Sequence, residues 1–402
     1  MIVFYNPHVD DFLAEPPHFR LLRRRPLKKY SYLIEGALAE TGELRVFVDG
    51  TISAFIPDRY FSLFPRFLRR WISNYEVRQW VRINNLEGKI KLIHHASEAK
   101  GDTLFAFSYK AAVGAFDRRL PDLAGFAQKI FHLSHYFIST KEKAENLKKL
   151  DDVILAGDSD ISNNSYFRRF FDWYDRPFLV LPFAVAPRFQ IRQSFSERET
   201  LCVATGTFHN LHDEIPIEKY RDYINFFHLS TYHPVRKLIH DQQATLRNWI
   251  VSKISLYRGK TKGSLFSRLF KHFSVSQKAY FNIDIVDLYN RYCYAIVGEE
   301  AVGFPALGAF EAMACGCVLI AQREYYAGLG MVPNVHFVPH EGTLASIISA
   351  IESLNADPKR AARISEAAVA YVVGQCRPNI AYLRFLSKAR LCVEQPNKVG
   401  SC

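Results

Sequence analysis

The chain has 402 residues, of which 49% are hydrophobic, with 20 glycines and 18 prolines. That length exceeds one ordinary core, and the composition excludes a disordered or collagenous chain, so two compact domains are expected. The formal net charge of +12 suits anionic partners, whether a polyanion, an anionic lipid surface or a phosphorylated substrate.

Residues 2–6 open the chain as a buried strand rather than a signal peptide, and no apolar run approaches the ~18–20 residues of a membrane span. Further strands are expected at 44–48, 90–94, 103–107, 130–131, 136–139 and 153–155, and helices at 27–39 and 141–150. Alternation of this kind predicts a parallel sheet covered by helices. The loop after the first strand reads Asn6-Pro7-His8-Val9-Asp10-Asp11, with none of the glycines of a phosphate loop. Residues 178–187 read as a last strand and a crossing segment, and the polar residues 190–199 as a linker. A second α/β unit follows. Strands are expected at 201–205, 226–229, 293–297 and 317–320, and helices at 283–291, 344–354, 358–373 and 381–392. The expected domains are 1–189 and 200–379, with 380–402 as a helix returning to the first.

The seven cysteines, Cys202, Cys293, Cys315, Cys317, Cys376, Cys392 and Cys402, form no Cys-x-x-Cys pair and no disulfide framework. Cys315-Gly316-Cys317 is too tight for common zinc spacings, so thiols in a reducing cytoplasm are expected. No metal site and no resident cofactor is expected. Asp158-Ser159-Asp160 is an Asp-x-Asp triplet in a polar loop and reads as a turn.

The densest signal runs from Glu299 and Glu300 through Gly303, Pro305, Leu307, Gly308, Phe310 and Glu311 to Cys315-Gly316. It reads as strand end, tight loop and helix. A helix N-terminus behind a Gly/Pro loop offers backbone N–H groups and a positive dipole end to a phosphate. Glu311, one turn in, suits a ribose or sugar diol. Phe310-Glu311-Ala312-Met313-Ala314-Cys315-Gly316 resembles the donor-binding motif of two-domain (GT-B) nucleotide-sugar glycosyltransferases, which carries two glutamates eight residues apart. The resemblance implies an α/β fold of two Rossmann-like domains facing a cleft, and puts Glu311 on the nucleotide ribose. Gly303 stands where that motif has its first glutamate, so Glu300 or Glu299 is expected to reach the donor sugar instead.

The resemblance further implies transfer of a sugar from a nucleotide sugar to a glycan or lipid-linked acceptor, in surface polysaccharide or glycoconjugate synthesis, with retention and without a metal. Gly206 and Thr207, after the first strand of the second domain, are placed to approach a diphosphate. Arg258 or Lys260, and then Arg236 or Lys237, are candidates to neutralise it. His132 and His135, after a first-domain strand, are candidate acceptor bases. His94, His95, His209 and His212 are weaker ones. Two basic-aromatic stretches, 20–30 and 60–75, fit an anionic membrane surface, with Phe64, Phe67, Leu68 and Trp71 on one side of a helix. No nucleic-acid recognition motif is present. A nucleotide-sugar epimerase on the same scaffold, or a non-catalytic basic surface-binding protein with a degenerate donor site, remain as alternatives.

Overall fold

The computed structural model describes the chain apart from residues 10–29, 54–55, 57, 108–122, 214–216, 258–282, 327 and 395–402. Packing divides it into two units. The first takes residues up to Gly157, Arg169–Leu181 and the chain from Tyr382 on; the second takes Asp158–Arg168 and Pro182–Ala381.

The first unit is built on seven strands: β1 (Ile2–Tyr5), β2 (Leu44–Phe47), β3 (Ile90–Ile93), β4 (Thr103–Ala106), β5 (Gln128–His132), β6 (Val153–Gly157) and β7 (Leu179–Val180). They order as β3-β2-β1-β4-β5-β6-β7, every pairing parallel. Central strands of such a sheet are covered on both faces, which is why β1 and β4 are nearly continuous apolar runs. The longer helices among its described residues are α1 (Ser31–Thr41), α2 (Arg66–Ile83) and α3 (Thr140–Leu147). Residues 136–139, expected as a strand, are instead a turn leading into α3, with His135 and Ser139 both at positive φ.

The second unit carries five strands, β8 (Glu199–His209), β9 (Ile250–Tyr257), β10 (Tyr292–Ile296), β11 (Val318–Ala321) and β12 (Phe337–Pro339), in the order β12-β11-β10-β8-β9, again all parallel. Its helices are α4 (Arg221–Phe227), α5 (Pro234–Asp241), α6 (Ile285–Arg291), α7 (Leu307–Ala314), α8 (Leu344–Ala356) and α9 (Pro358–Gln375), and α10 (Pro378–Glu394) follows. Their starts are written locally. Asp284 caps α6 by accepting from Val286 N and Asp287 N, Thr343 caps α8, and Asp357 caps α9 ahead of Pro358. The expected strand at 226–229 is wrong. Phe226 and Phe227 end α4, and His228 closes it in the left-handed conformation. Their rings pack on Tyr166 at 5.1 Å, so tertiary packing overrides the β propensity of the aromatic run.

Candidate functional site

In the second unit the strand order reverses at β8, whose successor β9 lies on one side and β10 on the other. Ligands of open α/β sheets bind beyond the strand C-termini at such a switch point. β10 stops pairing at Ile296 opposite Ala204, while β8 runs on through Gly206 and Thr207. Arg236, near the start of α5, fills the space between the diverging ends. Its Nε donates to Val297 O at 2.6 Å, Nη2 to Gly298 O at 3.0 Å and Nη1 to Thr207 O at 2.7 Å. Gly206 sits at φ +122°, and a Cβ there would lie 2.7 Å from Arg236 Nε. The glycine makes room for the arginine, and the arginine staples β8 to β10. Arg236 is therefore buried in strand-end hydrogen bonds. Lys237 forms a surface ion pair with Asp241. Arg258 and Lys260 lie outside the described residues.

Glu299, three residues past β10, is 3% exposed. Its Oε1 accepts from Tyr326 Oη at 3.1 Å and from Gln322 N at 3.4 Å. Its Oε2 is buried with no hydrogen-bond partner. Burial pushes the carboxyl up to about 7, against the opposing pull of those hydrogen bonds and of the Arg236 charge. Glu300 is only partly buried, and its backbone closes a tight turn, with Glu300 N donating to Phe304 O at 2.8 Å. Gly303 completes that turn at φ +111°. Its carbonyl accepts from Ser159 Oγ at 2.5 Å, and a Cβ on it would lie 2.7 Å from Ile161 Cγ2. So Gly303 lets the 158–164 loop seat closely, a packing duty that a glutamate here could not perform. The Asp158-Ser159-Asp160 triplet belongs to that loop. Asp160 Oδ1 accepts from Ser162 N, and no group of three metal-ligating side chains occurs among the described residues.

α7 begins at Leu307 as expected, behind Ala306, which offers no side-chain cap. Gly308 packs its open face on Val297 and the Tyr289 hydroxyl. Phe310 is fully buried and stacks on Phe183 at 4.3 Å, so it anchors the helix in the core rather than touching a ligand. Glu311 is half-buried, and its Oε2 lies 3.9 Å from the Cβ position of Gly308, back along the helix toward its N-terminus. Burial lifts its carboxyl to about 7, opposed by the charge of Arg188. Arg188 is exposed, with its guanidinium 4.7 Å from the Phe189 ring centre. Sequence reasoning passed over this cation, which stands alone in an apolar crossing segment. It missed His340 as well. This residue follows β12, is buried, accepts from Gly342 N at 2.9 Å through Nδ1, and is held down to about 4 by burial.

The two candidate histidines belong to the first unit. His132 is fully buried, its Nε2 3.3 Å from the Tyr30 hydroxyl and its Nδ1 3.3 Å from Phe107 O. With both ring nitrogens engaged in the core, it is a packing residue and not an acceptor base. His135 is exposed in a left-handed turn, with Phe137 edge-on at 5.7 Å.

Residues 247–379, a span holding Glu299, Glu311 and α7, match a family model described as glycosyl transferase-like. That span, about a third of the chain, is glycosyl transferase-like in sequence. No curated protein matches the chain in sequence. Among solved structures, sucrose-phosphate synthase from Thermosynechococcus elongatus is similar over 98% of this chain and 99% of its own, at 14% identity and a TM-score of 0.49. Anabaena HepE, solved with UDP, is similar over 97% and 99% at 12% identity and a TM-score of 0.49. A glycosyltransferase from Rickettsia africae is similar over 78% and 88% at 11% identity and a TM-score of 0.42. The α/β architecture with two parallel sheets is the one that the resemblance to GT-B enzymes implied.

Proposed function

We propose that the protein transfers a sugar from a nucleotide sugar to a glycan or lipid-linked acceptor, in the building of a surface polysaccharide or glycoconjugate on the cytoplasmic side of a membrane. The observation that carries this reading is Glu299 and Glu311 beside the switch point, inside the glycosyl transferase-like span. Glu311 accepts from the ribose hydroxyls. Glu299 Oε2, buried and unpartnered, accepts from a hydroxyl of the donor sugar. The nearly complete burial of Glu299 favours it over Glu300, which is only partly buried. The diphosphate lies against the N-terminus of α7 and Arg188.

In the transfer, the bond between the anomeric carbon and the diphosphate breaks, and the acceptor hydroxyl attacks that carbon from the face the diphosphate leaves, passing its proton to an oxygen of the departing diphosphate. Charge accumulates on the departing diphosphate. A fixed helix dipole and an arginine stabilise that charge more than they stabilise the bound donor. The reaction is retaining and draws its charge neutralisation from these groups without a metal.

The test is a thermal-shift screen against nucleotides and nucleotide sugars, followed by titration of the best ligand into Glu311→Ala. A ligand bound only by the native state raises the melting temperature. Loss of a charge-assisted acceptor costs ~1.5–3 kcal/mol, or about tenfold to a hundredfold in affinity. A folded Glu311→Ala that binds nucleotide like the wild type refutes the ribose assignment. Release of free epimer with no transfer product would assign the scaffold to epimerisation.

A further inference from the structure

Helix α2, in the first unit, presents an exposed aromatic face that none of the donor-side groups above uses. Its buried side is Ser73, Glu76, Val77 and Trp80. Its opposite side carries Phe67, Trp71 and Tyr75, with relative exposures of 75%, 65% and 51%, and Leu63 just before the helix is 78% exposed. These residues stand four apart, so they form one line along the helix. Trp71 and Tyr75 stack on each other at 6.2 Å and 16°, a ring pair turned outward. The line continues through Arg78 and Arg82, three and seven residues beyond Tyr75 and both exposed. Arg82 meets Glu87 at 3.5 Å, but both side chains are about two-thirds exposed, so the pair is screened and exchangeable. The helix's one acidic residue, Glu76, is fully buried beside His8 and Ser53. The helix's own outer face is therefore aromatic along one half and cationic along the other, with Glu87, beyond its C-terminus, the acid beside it.

We propose that this face docks α2 flat on an anionic lipid bilayer, with Leu63, Phe67, Trp71 and Tyr75 entering the headgroup boundary and Arg78 and Arg82 on lipid phosphates. A protein partner would need to match a row of bulky rings and two arginines with its own acids. A bilayer supplies the two chemistries together, and tryptophan and tyrosine settle at its interface because their rings are amphipathic. The charge complementarity selects the anionic surface. The arrangement also corrects the sequence reading. Phe64 and Leu68 are half-buried, and Arg70 turns inward, with Nη2 3.5 Å from His94 O. The docking line is 63-67-71-75-78-82. The basic stretch 20–29 lies outside the described residues.

The experiment uses the full chain in vesicle sedimentation, with phosphatidylcholine alone and with about a third phosphatidylglycerol. The wild type is expected to pellet with the anionic vesicles only, and less as salt rises. Phe67→Ser/Trp71→Ser/Tyr75→Ser, with an unchanged melting temperature, is expected to lose sedimentation at least tenfold. Arg78→Ser/Arg82→Ser is expected to lose about fivefold per arginine and most of the salt dependence. Trp71 emission should shift to the blue on binding, and Trp71→Phe should keep the binding while losing the shift. Equal binding to both vesicle types, or none to either, overturns the proposal. So does a dimer in solution that the aromatic substitutions dissolve, since the face is then a contact between copies. Nucleotide binding is independent of every arm, so failure here leaves the donor site standing and the converse holds as well.

Discussion

At the scale of single residues, Glu299 ties stability to pH. Its folded value near 7 lies above the ordinary 4.5 of a glutamate, so the folded state holds a proton that the unfolded chain releases. Below about pH 4.5 both states are protonated and the effect is nil; as pH climbs toward 7 the folded state loses ground, and above it the loss is complete. The shift corresponds to about 3 kcal/mol over that window. Urea unfolding at stepped pH should show this decline as the difference between wild type and Glu299→Gln, since Glu311 adds to it and His340, held down to about 4, opposes it. Glu299→Gln should flatten its share, because the amide oxygen still accepts from Tyr326 while nothing titrates. An unchanged slope in that variant would place the titration elsewhere, with Glu311 the first candidate. Arg236 gives a second expectation. Arg236→Lys can reach one of the three carbonyls and leaves two buried acceptors unmet, a loss of about 2–4 kcal/mol. Gly206→Ala should give a similar loss through the same arginine, since its Cβ would sit against the guanidinium. If Gly206→Ala is neutral in denaturant melts, the staple is not what fixes the strand ends.

At the scale of elements, α10 should matter to the first unit out of proportion to its place at the end of the chain. Phe385 packs edge-on to Phe105 of β4 at 5.3 Å, and the Tyr382 hydroxyl donates to Glu40 Oε2 at 2.6 Å. Gly36 of α1 leaves room for the Tyr382 ring, whose nearest atom is 2.1 Å from where a Cβ would stand. Phe385→Ala should cost ~3–5 kcal/mol. Gly36→Ala should also destabilise, despite alanine's better helix propensity. A Gly36→Ala variant that melts higher would mean that Tyr382 moves aside freely. The elements themselves were largely legible, because parallel strands buried on both faces read as short apolar runs and three helices of the second unit, α6, α8 and α9, begin at Asp, Thr or Asp-Pro caps. What misled was aromatic density. The Phe226-Phe227 run and the stretch at 136–139 have strand propensity but are used as a helix end and a turn. Structure around the candidate site was legible where it is set locally, as in the start of α7 at Leu307. It was opaque where a residue's duty is set by distant chain. Nothing in the order of residues says that Gly206 faces Arg236, that Gly303 faces Ile161, or that His132 is spent on Tyr30 and Phe107.

At the scale of the whole molecule, the question is what neutralises a leaving diphosphate in a chain of net charge +12. Two arrangements would work, a divalent metal held by carboxylates or fixed cations with a helix end, and they respond oppositely to a chelator. The carboxylates nearest the site are poor metal ligands as they stand. Burial lifts Glu299 and Glu311 to about 7, and one oxygen of Asp160 already accepts from the Ser162 amide. A metal would have to compete with protons there and distort the 158–164 loop that seats on Gly303. Arg188 and the α7 N-terminus need no such change. Sugar transfer should therefore survive excess EDTA with its rate within about twofold, and Arg188→Ala should lower turnover by about tenfold to a hundredfold, the effect of losing one charge stabiliser of a transition state. The split between constants is diagnostic. A loss in kcat with little change in nucleotide affinity assigns Arg188 to the departing charge, whereas equal loss in both makes it a binding contact. Abolition by EDTA with rescue by manganese or magnesium would reverse the assignment, placing Asp158 and Asp160 on a metal and leaving Arg188 as the surface partner of Phe189.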